Sequence, residues 1–303
     1  MSIARLGLGG GPLGGLFSPV SLETGYEIVE RAWEHGVRLF DVAPLYGHGR
    51  AERIVGHVLC TKPRNEFVLS TKVGRLLRPE AAGQPSDFAE TEGLGPVFDF
   101  SRDGVLKSLD ESLERLGLDR VDVVYVHDPE DHLEQALREA QPALADLRDD
   151  GVVGAVGVGT NRVDTVVRFA RETDIDCALL AGRLTLLDRS AEREAIPVCA
   201  ERGIDIVAGG VFNSGVLADP IGRAMFDYAE APPNVRDRAM RLGEICRAHG
   251  VSLAAAAMRF PLVHLPVSAV LVGVRSVAEL DQNVAAFDAP IPDGLWTDLA
   301  ASA

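Results

Sequence analysis

The run VDVVYVH, residues 121–127, is apolar at nearly every position and ends on a polar one, His127. A strand with one wet face alternates apolar and polar residues; a strand buried on both faces, as in a parallel sheet covered by helices, reads like this one. IDIVAGG (204–210) and AVLVGV (269–274) have the same character. Working outward, strands are expected at 5–10, 38–42, 67–72, 121–127, 153–159, 176–181, 205–209 and 269–273. Helical periodicity fills the gaps. Residues 21–35 place Leu22, Ile28, Val29 and Ala32 on one face and stop at Gly36. Residues 101–116 do the same with Val105, Leu106, Leu109, Leu113 and Leu116, and stop at Gly117. This alternation within 303 residues predicts an α/β fold, one closed (β/α)8 TIM barrel over residues 1–303. No shift in composition marks a second domain.

Two connections exceed the usual βα loop of about 2–6 residues. One runs over 75–100 and the other from 211 to about 234; both leave the C-terminal ends of strands, where barrels place their sites. Phe88, Phe98 and Phe100 in the first, and Phe226 and Tyr228 in the second, are expected to shape a pocket.

A net charge of −15 argues against nucleic acid or an anionic membrane as partner. No apolar run approaches the roughly 18 residues of a membrane span. Met1-Ser2-Ile3-Ala4-Arg5 does not read as a signal peptide. Cys60, Cys177, Cys199 and Cys246 form no C-x-x-C pair and read as buried thiols of a cytoplasmic protein.

GGGPLG, residues 9–14, matches G-x-G-x-x-G by letter, but no helix can begin before about Ser21, so it is no dinucleotide fingerprint. Its glycines instead allow close backbone approach at a barrel mouth. HDPEDH, residues 127–132, resembles a metal cluster, yet only His127 ends a strand and no H-x-H pair accompanies it. No metal is expected.

Four polar residues stand at or just past strand ends: Asp41, Tyr46 five positions on, Lys72 and His127. Alone, each has a bland explanation, a loop cap for the aspartate or a snorkelling stem for the lysine. Together they converge on one mouth. Tyrosine has a solution pKa of about 10, too high for ready proton exchange at neutral pH. A neighbouring ammonium favours the phenolate, and a carboxylate holds the ammonium. Lys72 thus tunes Tyr46, Asp41 anchors Lys72, and His127 binds the reacting oxygen or relays the proton. Such a group protonates a carbonyl or deprotonates an alcohol while hydride moves elsewhere.

These residues lie in DVAPLYGHGRAE, VLSTKVG and DVVYVHDPED, which, with LGLGGGPLGGLF, GVVGAVGVGTN, VFNSGVLA and VGVRSVAELDQN, resemble the aldo-keto reductase superfamily along the whole chain. The resemblance implies NAD or NADP bound without a Rossmann fold, and Asp41, Tyr46, Lys72 and His127 as the catalytic tetrad. It also implies cofactor contacts from Gly10, Pro12, Asp41 and Asn161, and a segment wrapping the pyrophosphate at Phe212, Asn213, Ser214, Gly215 and Leu217. The adenosine end is implied at Gly273, Arg275, Glu279, Gln282 and Asn283. Ala181 replaces a usual glutamine, and Gly209 or Gly210 a usual aromatic, which leaves the nicotinamide's stacking partner open.

LLAGRLTLLD and VFNSGVLADP resemble the aldose dehydrogenase group: D-threo-aldose (L-fucose) 1-dehydrogenase, L-galactose dehydrogenase and pyridoxal 4-dehydrogenase. That implies oxidation of a lactol to a lactone, with a small sugar, alcohol or aldehyde as substrate. Reduction of aldehydes or ketones, a non-catalytic nicotinamide-binding subunit like those of potassium channels, and a Schiff-base lyase using Lys72 are the alternatives. The oligomeric state is open. NAD is expected over NADP, because Glu279 and Asn283 share a helix face and a carboxylate there repels a 2′-phosphate. Two features oppose this: Ser276-Val277-Ala278-Glu279 is also a capping box, and Arg275 could take up a phosphate.

Overall fold

The computed structural model describes residues 5–222, 224–227 and 229–302. Of the residues discussed above, Met1, Ser2, Ile3, Ala4 and Tyr228 lie outside them. All eight expected strands form, with ends that differ from the expected ones by up to two residues. They are β1 (Leu6–Gly9), β2 (Leu39–Asp41), β3 (Val68–Val73), β4 (Val123–His127), β5 (Ala155–Thr160), β6 (Cys177–Ala181), β7 (Asp205–Gly209) and β8 (Val267–Val272). Each pairs in parallel with the next, and β8 returns to β1, closing the barrel.

Strand side chains alternate between lumen and helix layer, so register places the polar residues. Asp41 stands opposite Ser70, Lys72 opposite Tyr125, and His127 opposite Gly159. Asp41, Lys72 and His127 therefore share the inward face at the C-terminal rim. Below them Tyr125, Cys177, Leu179, Val207 and Leu271 form a separate apolar plug. The larger core lies between barrel and helices.

The expected helices are present. α1 (Leu22–Glu34) begins at Ser21, whose hydroxyl accepts from Thr24 N at 3.1 Å. Leu22, expected on its buried face, is exposed. α2 (Arg50–Leu59) follows the tyrosine loop. α3 (Arg102–Leu116) is capped by Ser101 and ended by Gly117 at φ 62°. Cys177, Cys199 and Cys246 are buried, but Cys60 is exposed, against expectation, because it falls at the wet end of α2.

Neither long connection is an unstructured loop. The first carries an antiparallel hairpin, Arg75–Arg78 against Gly95–Phe98; the second a short pair, Met225–Phe226 against Ala229–Glu230. Between the hairpin strands, residues 87–89 lie along Gly15–Phe17, with Ala89 N donating to Gly15 O (3.1 Å) and Phe17 N to Asp87 O (3.3 Å). Among the described residues no helix is long and apolar enough to cross a membrane.

Candidate active site

Lys72 is 1% exposed, at the bottom of the mouth. Its Nζ donates to Asp41 Oδ2 at 2.7 Å and to Val42 O at 2.9 Å, while Ser70 Oγ donates to Asp41 Oδ1 at 2.7 Å. Burial pushes the ammonium's pKa down, but the charge of Asp41 and the pull of Tyr46 outweigh burial, and the net shift is upward. Lys72 therefore stays charged. A Schiff-base nucleophile must be a free amine, so the lyase alternative loses its chemistry.

The Lys72 ammonium lies 4.6 Å from the centre of the Tyr46 ring. Tyr46 is brought there by a turn unusual in its backbone: Gly47, His48 and Gly49 have φ of 61°, 48° and 96° before α2 begins. The loop after β1 closes over the same turn. A Cβ on Gly14 would stand 2.4 Å from the Tyr46 carbonyl carbon and 2.5 Å from Gly47 N. Gly10 N donates to Asp41 O at 2.7 Å. The room the glycines leave is thus filled by this chain's own backbone.

The His127 ring meets the Tyr46 ring edge-on, with centroids 6.0 Å apart. Burial, then the nearby charges of Arg75 and Lys72, hold its pKa well below the usual histidine range, so it is neutral at pH 7. A neutral imidazole offers one N–H to a reacting oxygen. His127 Nδ1 is buried without a partner among the described residues, and Nε2 lies 3.5 Å from Asp128 Oδ2.

The rest of HDPEDH disperses. Asp128 pairs with Arg75 at 2.8 Å, Glu130 accepts from the hydroxyls of Thr160 and Thr165, and His132 packs on Phe98 and Phe100.

Of the expected pocket aromatics, Phe88 reaches the site, its ring 6.0 Å from that of Tyr46. Phe100 does not. It is fully buried and fills the space beside Gly74, where a Cβ would collide with its ring at 2.1 Å. Phe98 is nearly half exposed and lies under the Arg75 guanidinium at 5.2 Å. Phe226 is half-buried in the short strand pair of the second connection.

Sequence reasoning missed several residues here. His48 donates from Nδ1 to Leu94 O at 2.6 Å and accepts from Ser86 Oγ at 3.3 Å, latching the first connection over the tyrosine loop. Arg183 Nε donates to Asn161 O at 2.8 Å, while its Nη1 bonds Asp188 and Asp227. Glu52, fully buried in α2, accepts from Thr71 Oγ1 at 2.9 Å and Arg115 Nε at 2.5 Å. It ties the helix after Tyr46 to the strand carrying Lys72. The signal available was a charged residue at a helix position facing the barrel.

The rim residues expected at the cofactor follow β1, β5, β7 and β8, with Asp41 ending β2. Asn161 follows β5. Past β7, Asn213, Ser214 and Gly215 all have positive φ, at 46°, 61° and 117°. Asn213 Nδ2 donates to Gly182 O at 3.2 Å, and its buried Oδ1 has no partner among the described residues. A strained turn with an unfilled acceptor at a rim suits a polar ligand. Leu217 differs from expectation in kind: its side chain is fully in the core and its N–H donates to Phe212 O. Pro12 packs on Gly273, where a Cβ would be 2.6 Å from Pro12 Cγ. Gln282 and Asn283 lie on the helix Val277–Asp288, capped by Ser276. Glu279 reaches back from it to accept from Arg275 N at 2.8 Å.

The sequence profile of the aldo/keto reductase family matches residues 5–302. The chain belongs to the aldo/keto reductase family. It is therefore an oxidoreductase of a family that uses nicotinamide cofactors. The chain is 45% identical to a Pseudomonas protein named D-threo-aldose 1-dehydrogenase, the match covering 99% of this chain and 94% of that one. It is 44% identical to pyridoxal 4-dehydrogenase of Microbacterium luteolum, with the same coverage. L-galactose dehydrogenase of Arabidopsis thaliana shares 29% over 94% of this chain and 85% of its own. An aldo-keto reductase from Bacillus halodurans superposes with a TM-score of 0.79 at 23% identity, covering 99% of this chain and 92% of the other, and shares the barrel fold.

Proposed function

We propose that this aldo/keto reductase is an NAD-dependent aldose 1-dehydrogenase that oxidises the anomeric hydroxyl of a lactol to a lactone, with Asp41, Tyr46, Lys72 and His127 as its catalytic groups. The observation that carries the chemistry is the buried Lys72–Asp41 pair, 2.7 Å apart, beneath the Tyr46 ring. The choice of an aldose rests on likeness to D-threo-aldose 1-dehydrogenase.

Tyr46, held as the phenolate by the fixed charge of Lys72, takes the hydroxyl proton as the carbonyl forms and becomes the neutral phenol. Neutral His127 donates its N–H to the same oxygen and fixes the substrate's angle. The oxidised nicotinamide, when bound, supplies the hydride acceptor. Asn161 would hold its carboxamide end and the turn at Asn213–Gly215 its phosphates.

The preference for NAD rests on Glu279. Unit charges about 4 Å apart at an effective dielectric near 20 repel by roughly 4 kcal/mol. Exposure reduces that to about 1 kcal/mol, roughly fivefold in preference. The carboxylate also caps Arg275 N and lies 3.7 Å from the Arg275 guanidinium, which keeps the effect at the low end.

A panel of aldoses, pyridoxal and unactivated aldehydes, assayed with NAD and NADP in both directions, tests the reading. Pyridoxal belongs in it because a relative of nearly equal identity is named for that substrate. Aldose oxidation with NAD should be the most efficient reaction. Faster reduction of plain aldehydes overturns the direction. An NADP preference, or one for NAD that Glu279→Arg leaves unmoved, overturns the electrostatic argument.

A further inference from the structure

We propose that Asp128, braced by Arg75, reads the hydroxyl on the carbon next to the reacting one, and so selects polyhydroxylated substrates over plain alcohols and aldehydes. This rests on the aldose dehydrogenase reading and deepens it by naming the residue that makes the site one for sugars.

Asp128 follows His127 directly and leaves β4 with φ of 38°. Its N–H donates to Gly159 O at 2.9 Å, which fixes the turn. The turn lays the carboxylate beside the imidazole, with Oδ2 3.5 Å from His127 Nε2. The same Oδ2 accepts from Arg75 Nη2 at 2.8 Å. Among the described residues nothing donates to Oδ1, and the side chain is 34% exposed against 11% for Arg75. The carboxylate is thus the more exposed partner of the pair, and Oδ1 is its spare acceptor, beside the ring that would hold the reacting oxygen. Vicinal oxygens on a sugar lie within hydrogen-bond distance of one another. A hydroxyl beside the one on His127 therefore comes within reach of Oδ1. Phe88, its ring 6.0 Å from that of Tyr46, offers the sugar's C–H face an apolar wall.

A purely structural role would have the ion pair weld the hairpin to the barrel. The far end of that strand already has a weld, Arg78 bidentate to Glu111 at 2.9 and 3.0 Å. Nor does a weld call for left-handed backbone, which costs a non-glycine residue roughly 1 kcal/mol, or for an acceptor left spare.

The test compares kcat/KM for the best aldose of the panel with that for its 2-deoxy analogue, such as L-fucose against 2-deoxy-L-fucose. It uses wild type, Asp128→Asn and Asp128→Gly, with thermal unfolding as a check on folding. Asparagine and glycine both accept the backbone angle. Any effect exerted through His127 or the fold falls on both sugars alike and cancels in the ratio. Wild type should prefer the parent sugar by about 10- to 100-fold, the worth of a hydrogen bond to a charged group. In Asp128→Gly that preference should collapse to within a few-fold, and Asp128→Asn should fall between. An unchanged ratio in a wild type that oxidises aldoses overturns this assignment alone. A wild type that turns over plain aldehydes but oxidises no aldose overturns the parent reading and this one with it.

Discussion

Tyr46 and His127 flank the place where a proton must be moved, and the structure gives them different jobs because their surroundings differ. Tyr46 sits against a permanent cation; His127 is buried beside two. Tyr46→Phe should keep cofactor affinity, read by quenching of nicotinamide fluorescence, and lower kcat by about 100- to 10,000-fold. Retention of more than about a tenth of wild-type turnover, with chemistry rate-limiting, would remove Tyr46 from its role. His127 makes stability depend on pH. Its folded pKa lies below the ordinary value of 6.5, so the unfolded chain takes up the proton first as pH falls. The stability that goes with neutral His127 is complete above 6.5 and is lost as pH drops beneath it. From pH 7 down to about 5.5, urea unfolding should show a loss approaching 1.4 kcal/mol per pH unit that His127→Gln abolishes. An identical slope in the variant would mean that the folded imidazole is already protonated there. These strand-end residues were legible because an apolar run ending in one polar side chain is a visible pattern. Asp128 was not, because a polar residue in a polar segment stands out only once its backbone angle is known.

The turn between β2 and α2 is where element geometry enters function. Its backbone touches Gly14, whose own φ is not left-handed, so the glycine there answers to space alone. Gly83 is the opposite case, with φ of 81° and, among the described residues, nothing within 4 Å of an added Cβ. Gly83→Ala should cost about 1 kcal/mol of stability and leave kcat unchanged. Gly14→Ala must push the tyrosine turn off the rim and should lower kcat by about 100-fold, a loss that modest displacements of a reacting group produce. Comparing kcat and unfolding midpoint for the two variants checks this, and equal kcat in both would show that the contact is slack. The strands were readable from composition because burial on both faces leaves little choice of residue. The hairpin over Arg75–Arg78 and Gly95–Phe98 was not. Its halves are short, one holds Pro96, and the segment between them is long, so no local turn signal joins them.

At the scale of the whole molecule the barrel was the most legible feature, since eight buried parallel strands have few ways to hide every edge. Less legible was how the first long connection comes to rest. Three independent ties hold it: the backbone pairing of residues 87–89 with Gly15–Phe17, the His48 latch and the Arg50–Glu90 ion pair at 3.0 Å. Phe88 lies beside Tyr46 because of them. Amides held only by such ties exchange with solvent when the ties part. The Ala89 and Phe17 amides should therefore exchange faster in His48→Asn, which tolerates the left-handed backbone but is too short to span Leu94 O and Ser86 Oγ. Exchange read by deuterium uptake decides this, and equal rates would show that the histidine holds nothing. The pairing with Gly15–Phe17 thereby makes two amides into a clock. Each exchange requires at least one parting of the ties that hold Phe88 at the mouth, so their rate is a floor under the frequency with which it opens.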